Sequence, residues 1–348
     1  MLYIAGFLFG LILSIIFTPI AILLSKKFNV YDIPNKRKVH TRPIPRWGGI
    51  GIFLSFFSSI GFIYLLFPQF KTLLLYKLEF TSNFIGNLSI KTQLMGIIAG
   101  SILIFMLGII DDIKNVRAIT KLLVQIIAAY CVMDFGVRIS GIVFPLNSKY
   151  YTLSILLSQI ITILWILGFV NTINLADGLD GLAAGIVTIA SGTFFVVSIL
   201  QSKIYHNNIF LINQLQTSSI LSIILCGVCL GFLFYNFNPA IVFMGDSGAL
   251  LLGFLLGTIS IIGTLKTTAV ISLFIPVIII ALPVFDVIFA IFRRIRIGLL
   301  PTQPDKKHIH HRLLKWGWSQ KEVVLFIYVI SLILSIIAIT LTVLLCRK

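Results

Sequence analysis

At 348 residues, 58% hydrophobic and 11% charged, the chain has too few charged side chains to surround a water-soluble globule, and that class is excluded. A net charge of +16 would suit nucleic acid, but here the basic residues are spread over connections between apolar runs. Membrane topology and anionic lipid headgroups account for that pattern, so no nucleic-acid partner is expected.

What remains is an all-α polytopic membrane protein embedded in the lipid bilayer, read as a single domain over residues 1–348. Apolar runs of roughly 18 or more residues suffice to cross a hydrocarbon core. Ten are predicted, over 2 to 24, 47 to 67, 93 to 110, 119 to 137, 151 to 170, 182 to 200, 217 to 235, 247 to 264, 268 to 291 and 322 to 345. The first lacks the basic start of a signal peptide, with Lys26 and Lys27 after it, and is expected to stay as an anchor.

Behind that anchor comes "DIPNKRKVHTRPIPRWGG". Its Lys36, Arg37, Lys38, His40, Arg42 and Arg46 form either a simple positive loop or a wall facing phosphate, and Gly48 and Gly49 allow close backbone approach. The third span ends in "GIIDDIKNVRAITKLLVQ". Asp111 and Asp112 cannot both ionise cheaply at the end of an apolar helix unless a metal or basic group offsets the charge, and helix capping explains only one of them. Lys114, Arg117 and Lys121 are expected to present positive charge along one side of the following helix. The fourth span is the weakest. It carries Asp134 and leads into "GVRISGIVFPLNSKYYT", whose alternation and turn residues predict a small hairpin outside the bilayer.

Next comes "NTINLADGLDGLAAG", where Asn171, Asn174, Asp177 and Asp180 step by three residues. On a helix this spacing makes a polar stripe on one face, which a solvated loop would not need. Cys226 and Cys229, in "CGVC", have apolar flanks and no second pair, so they are packing residues. In "YNFNPAIVFMGDSGALLLG", Asn236, Asn238 and Pro239 end one helix and Gly245, Asp246 and Ser247 open the next. Asp246 is read there as an ordinary N-cap or as a cation ligand beside a phosphate-binding helix start. The last long connection, "RRIRIGLLPTQPDKKHIHHRLLKWGWS", holds His308, His310 and His311. With no cysteine nearby, binding of phosphate or sugar is expected there rather than zinc.

With ten spans, the odd-numbered connections share one membrane face. They carry 18 of the 27 Lys and Arg residues, which makes that face cytoplasmic by the positive-inside rule. Asp and Asn oxygens suited to Mg²⁺, with Lys, Arg and His suited to phosphate, then gather on one side, as phosphoryl transfer to a lipid would need. A secondary transporter and an intramembrane prenyltransferase are the rival classes. The transporter is disfavoured because eight of the eleven acids sit at one face and no internal repeat is evident.

The motifs "GIIDDIKNVRAITKLLVQ", "NTINLADGLDGLAAG", "NPAIVFMGDSGALLLG" and "PDKKHIHHRLL", in this order, resemble the polyprenyl-phosphate N-acetylhexosamine-1-phosphate transferases. The resemblance implies a Mg²⁺-dependent enzyme of a bacterial inner membrane, with Mn²⁺ as a substitute. Such an enzyme moves a sugar 1-phosphate from a UDP-sugar to undecaprenyl phosphate, releases UMP and starts a lipid-linked envelope glycan. It further implies Asp111, Asp112, Asp246, His308, His310 and His311 as catalytic residues. Metal ligands would come from Asp246, Asn174, Asp111 and Asp112. Substrate contacts would come from Lys121 on phosphate, Phe243 on uracil, Asn236 on the nucleotide, and from Asn171, Asn174, Asp177, Asp180 and Arg312. "HIHHRLL" after "PDKK" resembles the UDP-GlcNAc-using branch more than the branch using UDP-MurNAc-pentapeptide. "LLPTQPDKK" departs from the usual pattern and leaves another amino sugar open; self-association is left open separately.

Overall fold

The protein is described by a computed structural model covering residues 1–34, 42–76, 89–143, 150–203, 209–263 and 309–346, with isolated positions between 277 and 296. Eight described helices are long and apolar enough to cross a membrane. In chain order the helices are α1 (Leu2–Lys27), α2 (Gly48–Leu66), α3 (Pro68–Leu75), α4 (Ile90–Lys114), α5 (Ala118–Asp134), α6 (Ile155–Ala176), α7 (Leu182–Ser202), α8 (Ile209–Asn236), α9 (Gly245–Gly263), α10 (Ile309–Lys315) and α11 (Gln320–Cys346). Eight of the predicted spans thus correspond to α1, α2, α4, α6, α7, α8, α9 and α11. The fourth became α5, at 17 residues the shortest of them. The ninth, 268 to 291, falls mostly outside the described residues.

Packing follows membrane logic. α1 buries Gly6, Gly10, Ser14, Thr18, Ala21 and Ser25, while Ile4, Leu8, Ile12, Ile16 and Ile20 face outward. Small residues on the inner face let backbones approach where lipid removes the usual hydrophobic drive between helices. α1 crosses α8 at such a place: a Cβ on Gly10 would stand 2.5 Å from the Ile224 carbonyl oxygen, and one on Gly227 2.3 Å from that of Phe7.

At the centre runs α9, against α2, α4, α6, α7 and α8, and every residue of it is buried except Asp246. One polar side chain therefore leaves an otherwise enclosed helix, at its first turn.

Local signals set the ends of the neighbouring helices. Ser89 and Thr92 form a reciprocal capping box at the start of α4, whose far end is closed by Asn115 in the left-handed region at φ 49°. α4 runs four residues past the predicted limit, which places Asp111 and Asp112 on its last turn.

Two short antiparallel pairs lie at opposite ends of the bundle. β1 (Tyr31–Asp32) pairs with β2 (Ile44–Pro45), with Asp32 opposite Ile44. β3 (Gly141–Val143) pairs with β4 (Tyr150–Thr152), which realises the predicted hairpin. Thr162 and Ser158 of α6 tie the approach to β3 down through the Ile139 backbone, at 3.0 and 2.6 Å.

Candidate active site

Four connections meet at the end of the bundle where α1, α4, α6 and α8 finish and α9 begins. The first is stitched to the fourth through backbone. Phe243 N donates to Pro45 O at 2.8 Å, and Gly48 N and Gly49 N donate to Phe243 O and Met244 O, each at 2.9 Å. Gly49 lies so close to α9 that a Cβ would reach within 2.3 Å of Gly248 N. The close approach expected of these glycines is thus made to a helix backbone.

Asp112 explains half of the aspartate pair. Its Oδ1 accepts from Asp246 N at 2.8 Å and its Oδ2 from Ser247 N at 3.2 Å, so a side chain of α4 caps α9 from outside. This corrects the reading of Asp246 as the cap of its own helix. The reason is steric. Gly245 at φ 67° turns the chain so that the helix start faces Asp112, and any Cβ there would stand 2.5 Å from Asp112 Oδ2. Gly245→Ala therefore combines a left-handed backbone with a clash, and is expected to lower stability by about 2–3 kcal/mol, read as a fall in melting temperature.

Released from capping, Asp246 points into the cluster. Its Oδ1 accepts from Asn174 Nδ2 at 2.7 Å, and its Oδ2 meets Arg46 Nη2 at 3.0 Å and Lys121 Nζ at 3.8 Å. The Asp111 carboxyl stands within hydrogen-bonding range of it. Asp111 Oδ1 accepts from Val116 N at 2.7 Å, holding the turn into α5, while Oδ2 pairs with Lys121 Nζ.

Lys121 turns into the cluster, but Lys114 and Arg117 are exposed, at the end of α4 and before the start of α5. The stripe expected of the three is broken by the turn between the helices.

Arg46 completes the arrangement. Its Nε stands 3.0 Å from Asp112 Oδ1 and its Nη1 4.0 Å from Asp32 Oδ1. Burial alone would pull this guanidinium down, but Asp112, Asp246, Asp32 and Asp111 together hold it above its ordinary value.

The three-residue stripe is helical only in its first half. α6 ends at Ala176, so Asn171 and Asn174 share a face while Asp177 and Asp180 lie in the turn to α7. Asn171 Nδ2 donates to Gln125 Oε1 of α5 at 2.9 Å and to the Leu167 carbonyl, which places it one turn below the cluster.

Asp177 is half-buried, its carboxyl pushed up to about 8 by burial. Asp246, Asp112 and Asp180 act in the same direction and Arg46 opposes them. Asp180 Oδ2 accepts from Asn238 Nδ2 at 3.1 Å and Ala240 N at 3.0 Å, and so braces the loop ahead of α9.

Asn236 is buried. Its Oδ1 accepts from Gly181 N at 3.1 Å and its Nδ2 donates to Val242 O at 2.8 Å, so both ends of the amide tie connections together. Phe243 is partly exposed beside Arg46's loop. α11 joins through Gln320 Oε1, which accepts from Asn238, and through Tyr328 Oη, which donates to Gly181 O. His308 lies outside the described residues. His310 and His311 fall in the first turn of α10, where Arg312 is exposed.

Residues 94–264 match the sequence profile of glycosyl transferase family 4. Over 338 residues the chain is 35% identical to a probable undecaprenyl-phosphate N-acetylglucosaminyl 1-phosphate transferase of Bacillus subtilis, covering 97% of this chain and 84% of that protein. The chain belongs to glycosyl transferase family 4.

Other family 4 relatives widen the comparison. A decaprenyl-phosphate N-acetylglucosaminephosphotransferase of Mycolicibacterium smegmatis is 34% identical over 321 residues, covering 88% of this chain and 74% of that one. A phospho-N-acetylmuramoyl-pentapeptide-transferase of Rickettsia bellii is 32% identical over 317 residues, covering 85% and 79%. The matched family 4 segment holds Asp111, Asp112, Lys121, Asn174, Asp177 and Asp246 but leaves Arg46 outside it.

Among the described residues, no group of three or more His, Cys, Asp or Glu side chains is placed to share one metal ion. A hard cation such as Mg²⁺ needs less than that, because it keeps waters and takes one or two carboxylates together with substrate phosphates. Asp111 and Asp246 offer facing carboxylates, and Asp111 Oδ2 is a buried oxygen held only by the Lys121 ammonium. Asn174, which spends its Nδ2 on Asp246, can add its amide oxygen. This set fits Mg²⁺. Asp112 does not join it, since both of its oxygens are taken by backbone N–H groups and one also by Arg46.

The sequence offered Arg46 as one of six basic residues in a positive loop or a wall facing phosphate, without singling it out. The signal that could have found it was its position two residues before Gly48 and Gly49, where the backbone lies close against α9.

Proposed function

We propose that the chain transfers GlcNAc-1-phosphate from UDP-GlcNAc to undecaprenyl phosphate, with UMP as the second product, at the cytoplasmic face of a bacterial inner membrane. The observation that carries this reading is the meeting of Asp111, Asp246, Asn174, Arg46 and Lys121 from separate connections at one end of apolar helices. The names of the relatives support it, and the basic residues on the odd-numbered connections support the side.

The lipid phosphate, with a second pKa of ~6, is largely dianionic at neutral pH, so its oxygen attacks the β-phosphorus without a strong base. The new bond joins lipid phosphate to the β-phosphorus. The bond from that phosphorus to the bridging oxygen breaks, and the electron pair leaves with UMP. Repulsion between the anions is the main obstacle, and Lys121 and Arg46 stand where they can offset it. Mg²⁺ held by Asp111, Asp246 and Asn174 would draw charge from the diphosphate. Asn236, Asp180 and Tyr328 hold the surrounding connections in register. His308, His310, His311 and Arg312 are assigned to the pyrophosphate and sugar on the resemblance.

The test is UMP release by purified protein given undecaprenyl phosphate, MgCl₂ and a panel of UDP-sugars. UDP-GlcNAc is expected to support turnover above every other donor. A preference for UDP-MurNAc-pentapeptide would move the chain to the other branch, and no UMP with any donor would end the reading.

A further inference from the structure

In the arrangement seen, two basic side chains already occupy the oxygens that a metal would need. Lys121 covers Asp111 Oδ2, and Arg46 Nη2 covers Asp246 Oδ2 at 3.0 Å. Arg46 holds Asp112 Oδ1 through Nε as well, so one planar guanidinium bridges the carboxylate that caps α9 and the carboxylate that faces the cleft.

Its backbone leaves little freedom to leave. Arg46 N donates to Val30 O at 3.2 Å and to Ser25 Oγ at 3.1 Å, and nearby Pro45, Gly48 and Gly49 are bonded to Phe243 and Met244. The side chain is only 25% exposed, so its charge is weakly screened.

A divalent cation arriving alone must therefore enter beside a guanidinium and an ammonium that it repels, and must displace one of them from Asp246. A cation arriving with a diphosphate brings negative charge and gives Arg46 and Lys121 new acceptors. The same charges that hinder the metal alone then help the pair. By linkage, each ligand raises the affinity for the other.

We propose that Arg46 is a built-in counter-ion, a positioning residue that keeps Asp112 and Asp246 together in the metal-free protein and makes Mg²⁺ binding conditional on the diphosphate. The inference rests on the Mg²⁺ and UDP-sugar reading of this site.

Melting curves of the detergent-purified protein test it, recorded with MgCl₂ alone, UDP alone and both, for wild type, Arg46→Gln and Arg46→Lys. Wild type is expected to respond weakly to MgCl₂ alone and strongly to MgCl₂ with UDP. Arg46→Gln is expected to melt lower without metal and to respond to MgCl₂ alone, with a midpoint concentration at least ~10-fold below that of wild type. Arg46→Lys keeps the charge and is expected to retain the requirement for UDP. A merely structural role would lower all curves of Arg46→Gln equally and leave the MgCl₂ midpoint unmoved, which would overturn the proposal. If Arg46→Gln yields no folded protein, wild type and Arg46→Lys decide: an equal response to MgCl₂ with and without UDP overturns it. Absence of sugar transfer with these shifts intact would remove the reaction and leave this inference standing.

Discussion

Asp246→Asn is expected to reduce turnover on the order of 10³-fold while leaving the melting temperature close to that of wild type. The substitution keeps the shape of the side chain. Its oxygen can still accept from Asn174 Nδ2, and Arg46 keeps its bond to Asp112, so the packing of α9 is undisturbed. What disappears is the negative charge at the one residue of α9 that faces the cleft. UMP release and a melting curve on the same preparation check both halves. Wild-type turnover in this variant would remove Asp246 from the site.

Asp112→Asn is expected to behave differently, losing turnover and also about 3 kcal/mol of stability. The carboxylate is fully buried and accepts from two backbone N–H groups at the start of α9, with Arg46 alongside. An amide in its place turns an N–H₂ group toward one of those donors and leaves the guanidinium without its inner partner. Because α9 packs against five other helices, the cost is felt by the whole bundle. A melting temperature as high as that of Asp246→Asn would contradict the capping role. On sequence the two substitutions look alike, both removing an acid from a polar motif, and only the geometry separates a cap from a ligand.

Much of this arrangement was legible in the chain. Hydrophobic run length alone located eight of the crossing helices, because a bilayer demands a minimum length whatever the packing. Parity then predicted which connections share a side, and bonds such as Asn174 to Asp246 and Asn238 to Gln320 join residues 72 and 82 positions apart. The excess acid at positions 111 and 112 was also readable, since a cap explains one carboxylate and not two.

Other features were not legible, each for a physical reason. Periodicity continues the 171-to-180 stripe as a helix, yet the chain leaves the helix after Ala176, and Gly181 at φ 79° precedes the next one. Propensity cannot reveal that a helix will be capped by a side chain 134 residues away, so Asp246 looked like its own cap. The resemblance implied a nucleotide contact for Asn236, and what the sequence did not show is that both ends of its amide are bonded to backbone groups. Arg46 was hidden among six basic residues of one loop. Pairing of Pro45, Gly48 and Gly49 with Phe243 and Met244 brings it to the site, and its contacts with Asp112 and Asp246 single it out.

The most direct test of the account follows the β-phosphorus of the donor. Purified protein given UDP-GlcNAc labelled at that phosphorus, undecaprenyl phosphate and MgCl₂ is predicted to move the label into the lipid phase, with one UMP released for each lipid labelled and none of the label held by protein. Label retained on Asp111 or Asp112, or UMP released without any undecaprenyl phosphate, would contradict direct transfer between the two phosphates.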